Sequence, residues 1–129
     1  MTTTPGLARL HQISMRIHDI DRAVTFYRDV LGLPFLFSAP PSLAFFDCAG
    51  VRLMLSTPSP GFDHPGSVIY FAVDDIHDMH RVLEARGVVF TTAPAKIAKL
   101  ADREVWLAAF NDTEGNSLAL MSEPRLESQ

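Results

Sequence analysis

One cysteine, Cys48, stands in the whole chain, so no internal disulfide can form, and this points to a reducing compartment. No run approaches the roughly 18 consecutive apolar residues a membrane span needs. The opening MTTTPGLARL has no basic region followed by an apolar core, so no signal peptide is expected and the cytoplasm is the expected location. Positive charge is not in excess: the formal net charge is −4, which argues against nucleic acid or an anionic membrane as a partner. Glycine-rich phosphate loops, a Ser–His–Asp order and paired cysteines at zinc spacing are all missing. What remains is ordinary globular composition, 47% hydrophobic and 20% charged over 129 residues, the size of one domain or of two small modules sharing a core.

The most informative stretch is HDIDRAVTFYRDVLGLPF, His18 to Phe35. Asp19 or Asp21 can cap a helix whose apolar stripe is Ile20, Ala23, Val24, Tyr27, Val30 and Leu31; Gly32 permits the chain to leave it and Pro34 stops it resuming. Ahead of it Ile13, Met15 and Ile17 alternate with Gln12, Ser14 and Arg16, the period of a half-buried strand. Strands are then expected over Leu33–Phe37, Leu43–Cys48 and Val51–Ser56, the last two around an Ala49-Gly50 turn. A proline- and glycine-rich linker follows over 58–66.

Beyond the linker the pattern begins again. Ser67–Val73 reads as a strand, Asp75 as the cap of a helix carrying Ile76, Met79, Val82 and Leu83, and Arg86-Gly87 as its end. Val88–Thr91 is a short strand, Thr92–Asp102 a long loop, and Glu104–Phe110 and Ser117–Met121 the closing strands around NDTEGN. Two βαβββ units, 7–57 and 67–122, result, neither large enough to bury its own apolar face. On the residues alone a single ferredoxin-like βαββαβ domain also remains open.

HDIDRAVTFYRDVLGLPF and NDTEGNSLALM resemble the vicinal-oxygen-chelate superfamily, which includes glyoxalase I, bleomycin-resistance proteins and extradiol dioxygenases. The first is similar to that family's D-(V/I/L)-x-x-(A/S)-x-x-FY-x-x-x-LG signature. The second is similar to its DPDGN turn, with Thr113 and Glu114 in place of proline and aspartate. The resemblance spans residues 7 to 122 and implies an α+β fold: two βαβββ modules in one chain, sheets curled into a cup, helices packed outside. It also implies a homodimer and a small molecule in the cup.

Strand alternation sorts side chains between helix side and cup. Gln12, Ser14 and Arg16 face the cup in the first strand, and Arg52, Met54 and Ser56 in Val51–Ser56. Val68, Tyr70 and Ala72, with Ala119 and Met121, do so in the second half. In Glu104–Phe110 parity leaves the choice open, and Glu104, Trp106 and Ala108 are taken as inward. The expected ligand-binding set is therefore Gln12, Ser14, Arg16, Met54, Val68, Tyr70, Trp106, Ala119 and Met121.

The resemblance places metal ligands of its metal-dependent members at four positions, here Gln12, Met54, Val68 and Ala119. Only Gln12 offers an oxygen, so no metal site and no cofactor are expected. The other histidines do not change this. His11 has the parity of the opposite face, His77 and His80 flank a helical stripe as solvated positions, and His64 lies in the linker within possible reach of the cup mouth. Cys48 is expected to be a small buried hydrophobe. Lys96, Lys99 and Arg103 form a solvated loop face, and Arg16 and Glu104, if both inward, would need each other or a ligand. The function expected is binding of a small, partly hydrophobic molecule without a divalent metal. The alternative is a lyase, isomerase or dioxygenase of the lactoylglutathione-lyase type, acting next to a carbonyl or vicinal oxygens with zinc, nickel or iron.

Overall fold

The computed structural model describes residues 6–39, 41–58 and 66–127. The expected linker 58–66 falls mostly outside these residues, and His64 entirely so.

Strand β1 (Gln12–Arg16) leads through an Asp19 cap into helix α1 (Ile20–Thr25), whose last turns widen into a π-helical segment, Phe26–Val30. The cap is Asp19, not Asp21: its carboxylate accepts from the Arg22 amide at 3.1 Å. The π segment is closed by the Leu31 amide donating to the Phe26 carbonyl, and it turns both Phe26 and Tyr27 inward. Strands β2 (Phe35–Ala39), β3 (Leu43–Cys48) and β4 (Val51–Ser56) follow. Ala49 and Gly50 both have positive φ, 51° and 98°, so β3 and β4 are joined by the primed two-residue turn that matches strand twist.

The second half repeats this with β5 (Ile69–Ala72), α2 (Ile76–Ala85), β6 (Phe90–Lys99), β7 (Glu104–Asn111) and β8 (Ser117–Ser122). Asp75 caps α2 through the Asp78 amide at 3.0 Å. Each half forms a four-stranded mixed sheet, ordered β1-β4-β3-β2 and β5-β8-β7-β6, with the first strand parallel to the last. This is the α+β arrangement of βαβββ units that the repeat implied.

Two strand expectations need correction. β2 begins at Phe35, two residues later than expected. The supposed Thr92–Asp102 loop is mostly strand: β6 runs to Lys99, pairing with β7 through three register irregularities that absorb Pro94 and the extra residues.

The helix sides of both sheets share one core. Met15, Ile17, Tyr27, Phe46, Leu53 and Leu55 from the first half join Ile76, Leu83, Phe110, Leu118 and Leu120 from the second. The halves are also clamped by polar groups of the turn between β7 and β8. Asp112 is buried, and its carboxylate accepts from Tyr27 Oη at 2.7 Å and from the Glu114 amide, the Asn116 amide and Asn116 Nδ2 at 2.8 Å each. Asn116 Nδ2 also donates to the Arg16 carbonyl at 2.8 Å. Glu114 reaches the start of α1, accepting from the amides of His18 (2.7 Å) and Asp19 (2.8 Å), from Arg22 Nε (2.8 Å) and from Thr113 Oγ1 (2.9 Å). Burial pulls the Glu114 carboxyl up, but these donors, Arg22 first among them, together outweigh it and hold the group down at about 2. Among the described residues no buried side-chain polar atom lacks a partner.

Tyr27→Phe removes one of Asp112's four donors without a cavity and should cost about 1–3 kcal/mol in urea unfolding. A change within error would show that the bond carries no stability. Because the Glu114 pKa is depressed in the folded state, its contribution is complete above the ordinary value of 4.5 and is lost as pH falls toward 2. Melting temperature should therefore drop across that window, and Glu114→Gln should be less stable at neutral pH with a flatter acid limb.

Candidate functional site

Strand register fixes what each helix-free face carries. On the first sheet Gln12, Ser14 and Arg16 stand beside Arg52, Met54 and Ser56. β3 adds Asp47, Phe45 and Leu43 opposite Arg52, Met54 and Ser56. The bulge in β2 between Phe35 and Phe37 then turns Phe37 to the same face, across from Phe45. On the second sheet Tyr70 and Ala72 pair with Ala119 and Met121, which in turn pair with Ala109 and Leu107. Val68, just ahead of β5, is 46% exposed and Tyr70 54%, whereas Ala119 is buried.

Trp106 is not on this side. Its cross-strand partner is Ser122, its neighbours of like parity, Ala108 and Phe110, lie in the shared core, and its ring meets the His77 ring of α2 edge-on at 5.1 Å. Glu104, Trp106 and Ala108 thus point to the helices. Val105, Leu107 and Ala109 take the face expected for them, because burying Phe110 against α2 leaves no other parity. Glu104 consequently never meets Arg16: it accepts from Trp106 Nε1 at 3.0 Å and pairs with Lys96 at 3.5 Å. His80 is likewise no solvated flank, lying edge-on to Phe90 at 4.5 Å.

On the first sheet the polar groups form one chain. Gln12 Nε2 donates to Met54 Sδ at 3.7 Å, and Gln12 Oε1 accepts from Arg52 Nε at 2.6 Å. The Arg52 guanidinium lies 5.3 Å from the centroid of the Phe45 ring, which is itself stacked on Phe37 at 4.6 Å. A cation on an aromatic face with one nitrogen bonded to an amide oxygen is held in orientation from two sides. The apolar run of β3 shows no alternation to mark Phe45, and the bulge that turns Phe37 has no sequence signal.

Arg52 also lines a cleft of about 690 Å³ between the β3–β4 hairpin and β5, whose walls include Ile13, Cys48, Val51, Ile69 and Phe71, with Asp47 and Tyr70 as its other polar residues among those described. The β7–β8 turn is five residues long and reaches the start of α1, whereas the β3–β4 turn beside this cleft is two residues long. Burial, then the nearby Asp47 carboxylate, push the Cys48 thiol up, so this cleft residue is a poor nucleophile.

The four positions that the resemblance marks for metal ligation do not suit a divalent ion. The Gln12 oxygen already faces a guanidinium, Met54 offers a thioether that accepts the Gln12 amide, and Val68 and Ala119 have no donor atom. Among the described residues no group of three histidine, cysteine, aspartate or glutamate side chains is placed to hold an ion, and His11 is exposed with no such company.

The family model of the Glyoxalase/Bleomycin resistance protein/Dioxygenase superfamily matches residues 9–120. No functionally curated protein is a significant match. Among solved structures, the chain is similar to lactoylglutathione lyase from Agrobacterium tumefaciens, with TM-score 0.74 and 21% identity over 91% of this chain and 95% of that one. It is similar to a member of the same superfamily from Sphaerobacter thermophilus, with TM-score 0.72 and 26% identity over 91% and 98%. A third is TnmS3, an antibiotic-binding protein from Streptomyces sp. CB03234, with TM-score 0.74 and 22% identity over 94% and 100%.

Proposed function

The chain belongs to the glyoxalase/bleomycin resistance protein/dioxygenase superfamily, and from that premise we propose that it binds a small, partly hydrophobic molecule without a divalent metal. The ligand lies on the helix-free side, against Gln12, Ser14, Arg16, Met54, Val68, Tyr70, Ala119 and Met121. The observation that carries this reading is the 2.6 Å bond from Arg52 Nε to Gln12 Oε1. An oxygen that ligates a dication must turn a lone pair to it, and a guanidinium at hydrogen-bond distance repels that charge. Met54, Val68 and Ala119 leave no second ligand at the family positions. On this reading the protein's own residues bind and orient the ligand, and among the described residues no cluster of three histidine, cysteine, aspartate or glutamate side chains would hold an ion to polarise a carbonyl.

The apolar share of the face supports the same reading. Phe37, Val68 and Tyr70 are about half exposed, which suits a surface covered either by an organic ligand or by a second copy closing the cup as a homodimer. TnmS3 uses this scaffold for an antibiotic, so capture of an organic molecule is within what the fold does.

The test is metal content and metal response. Protein purified without chelator should carry no stoichiometric zinc, nickel, cobalt or iron, and these ions should leave its melting temperature unchanged. One equivalent of bound metal together with metal-dependent turnover of a methylglyoxal–thiol adduct would replace this reading with the lyase one.

A further inference from the structure

We propose that Arg52 makes the site selective for organic acids, with a carboxylate on the guanidinium and an apolar body in the cleft beside it. This deepens the small-molecule reading and rests on it: the carboxylate end stays on the helix-free side beside Gln12, and the body passes Tyr70, which borders both, into the cleft. The guanidinium is prepared for an anion. Gln12 fixes Nε at 2.6 Å and the Phe45 ring backs the plane at 5.3 Å, while the two Nη groups have no acceptor among the described residues. Arg22, Arg28 and Arg103, by contrast, each have a carboxylate within 3 Å. A cation already oriented by neutral neighbours gives up little conformational freedom when a carboxylate docks, and its fork matches two carboxylate oxygens.

The surroundings select further. Asp47 is the acidic cross-strand neighbour of Arg52, but its Oδ1 accepts from the Gly50 amide at 3.0 Å, which ties that charge back into the hairpin. The remaining wall around Arg52 is largely hydrocarbon, from Ile13, Val51, Ile69 and Phe71, and Tyr70 adds an aromatic face. At about 690 Å³ the cleft falls in the range of small-molecule sites, ~300–1,000 Å³. One cation against an apolar wall fits an amphipathic monoacid better than a sugar, a polyphosphate or a neutral hydrocarbon.

Titration calorimetry with 2-naphthoate and its neutral isostere 2-naphthamide tests this. The native protein should bind the acid about tenfold or more tightly than the amide, the size of a charge-assisted pair. Arg52→Gln should abolish the difference. Gln12→Glu, which supplies the guanidinium with an internal carboxylate and keeps Arg52 in place, should abolish it too, with melting temperatures showing both variants folded. Equal binding of acid and amide by the native protein overturns the organic-acid preference and leaves the small-molecule reading standing. Retention of the preference by both variants overturns the role of Arg52. Failure of both probes to bind at millimolar concentration overturns both readings.

Discussion

The buried carboxylate of Asp112 is what makes two half-sized units one protein. A charge so placed is tolerated only when its lone pairs are filled, and here four donors fill them, one the hydroxyl of Tyr27 from the opposite half. Satisfying Asp112 therefore requires the five-residue turn, the π-widened end of α1 and the start of β8 to assemble together. Glu114 on the same turn then caps α1 from outside its own unit. The cooperative element is polar, while the shared apolar core supplies the bulk of the driving force.

The halves repeat in topology but not at this turn, and the difference shapes the site. The two-residue turn at Ala49-Gly50 has no counterpart of Glu114, Asp47 accepts only from the Gly50 amide of its own hairpin among the described residues, and a cleft lies beside β5. Arg52 lies where that cleft meets the helix-free face. Its bond to Gln12 converts the one oxygen-bearing family position from a candidate ion ligand into a support for a fixed organic cation. A permanent positive charge thus sits beside the Gln12 amide oxygen, and a guanidinium attracts anions without activating water.

Much of the fold was legible because helices and strands impose different periods. Met15 and Ile17 alternate with Ser14 and Arg16, Leu53 and Leu55 stand between Arg52 and Ser56, Leu118 and Leu120 flank Ala119, and all six are buried. Asp19 and Asp75 cap as their places before apolar stripes imply. Legibility failed where both parities were apolar. In β7, Val105, Leu107 and Ala109 rival Trp106, Ala108 and Phe110, and only packing against α2 decides. β6 was hidden because Pro94 and a run of alanine and lysine carry little strand propensity, so pairing with β7 creates the strand. The π segment has no sequence signature. The Gln12–Arg52 bond joins residues 40 positions apart whose meeting depends on the parallel register of β1 and β4.

Arg52, and not a metal ion, faces the Gln12 amide oxygen. The most direct measurement is a crystal structure grown with zinc, with anomalous data recorded at the zinc absorption edge. Arg52 Nε is expected within hydrogen-bond distance of Gln12 Oε1, with no anomalous peak against the helix-free faces. An anomalous peak bonded to Gln12, with the guanidinium displaced from it, would show that a metal ion holds this position instead.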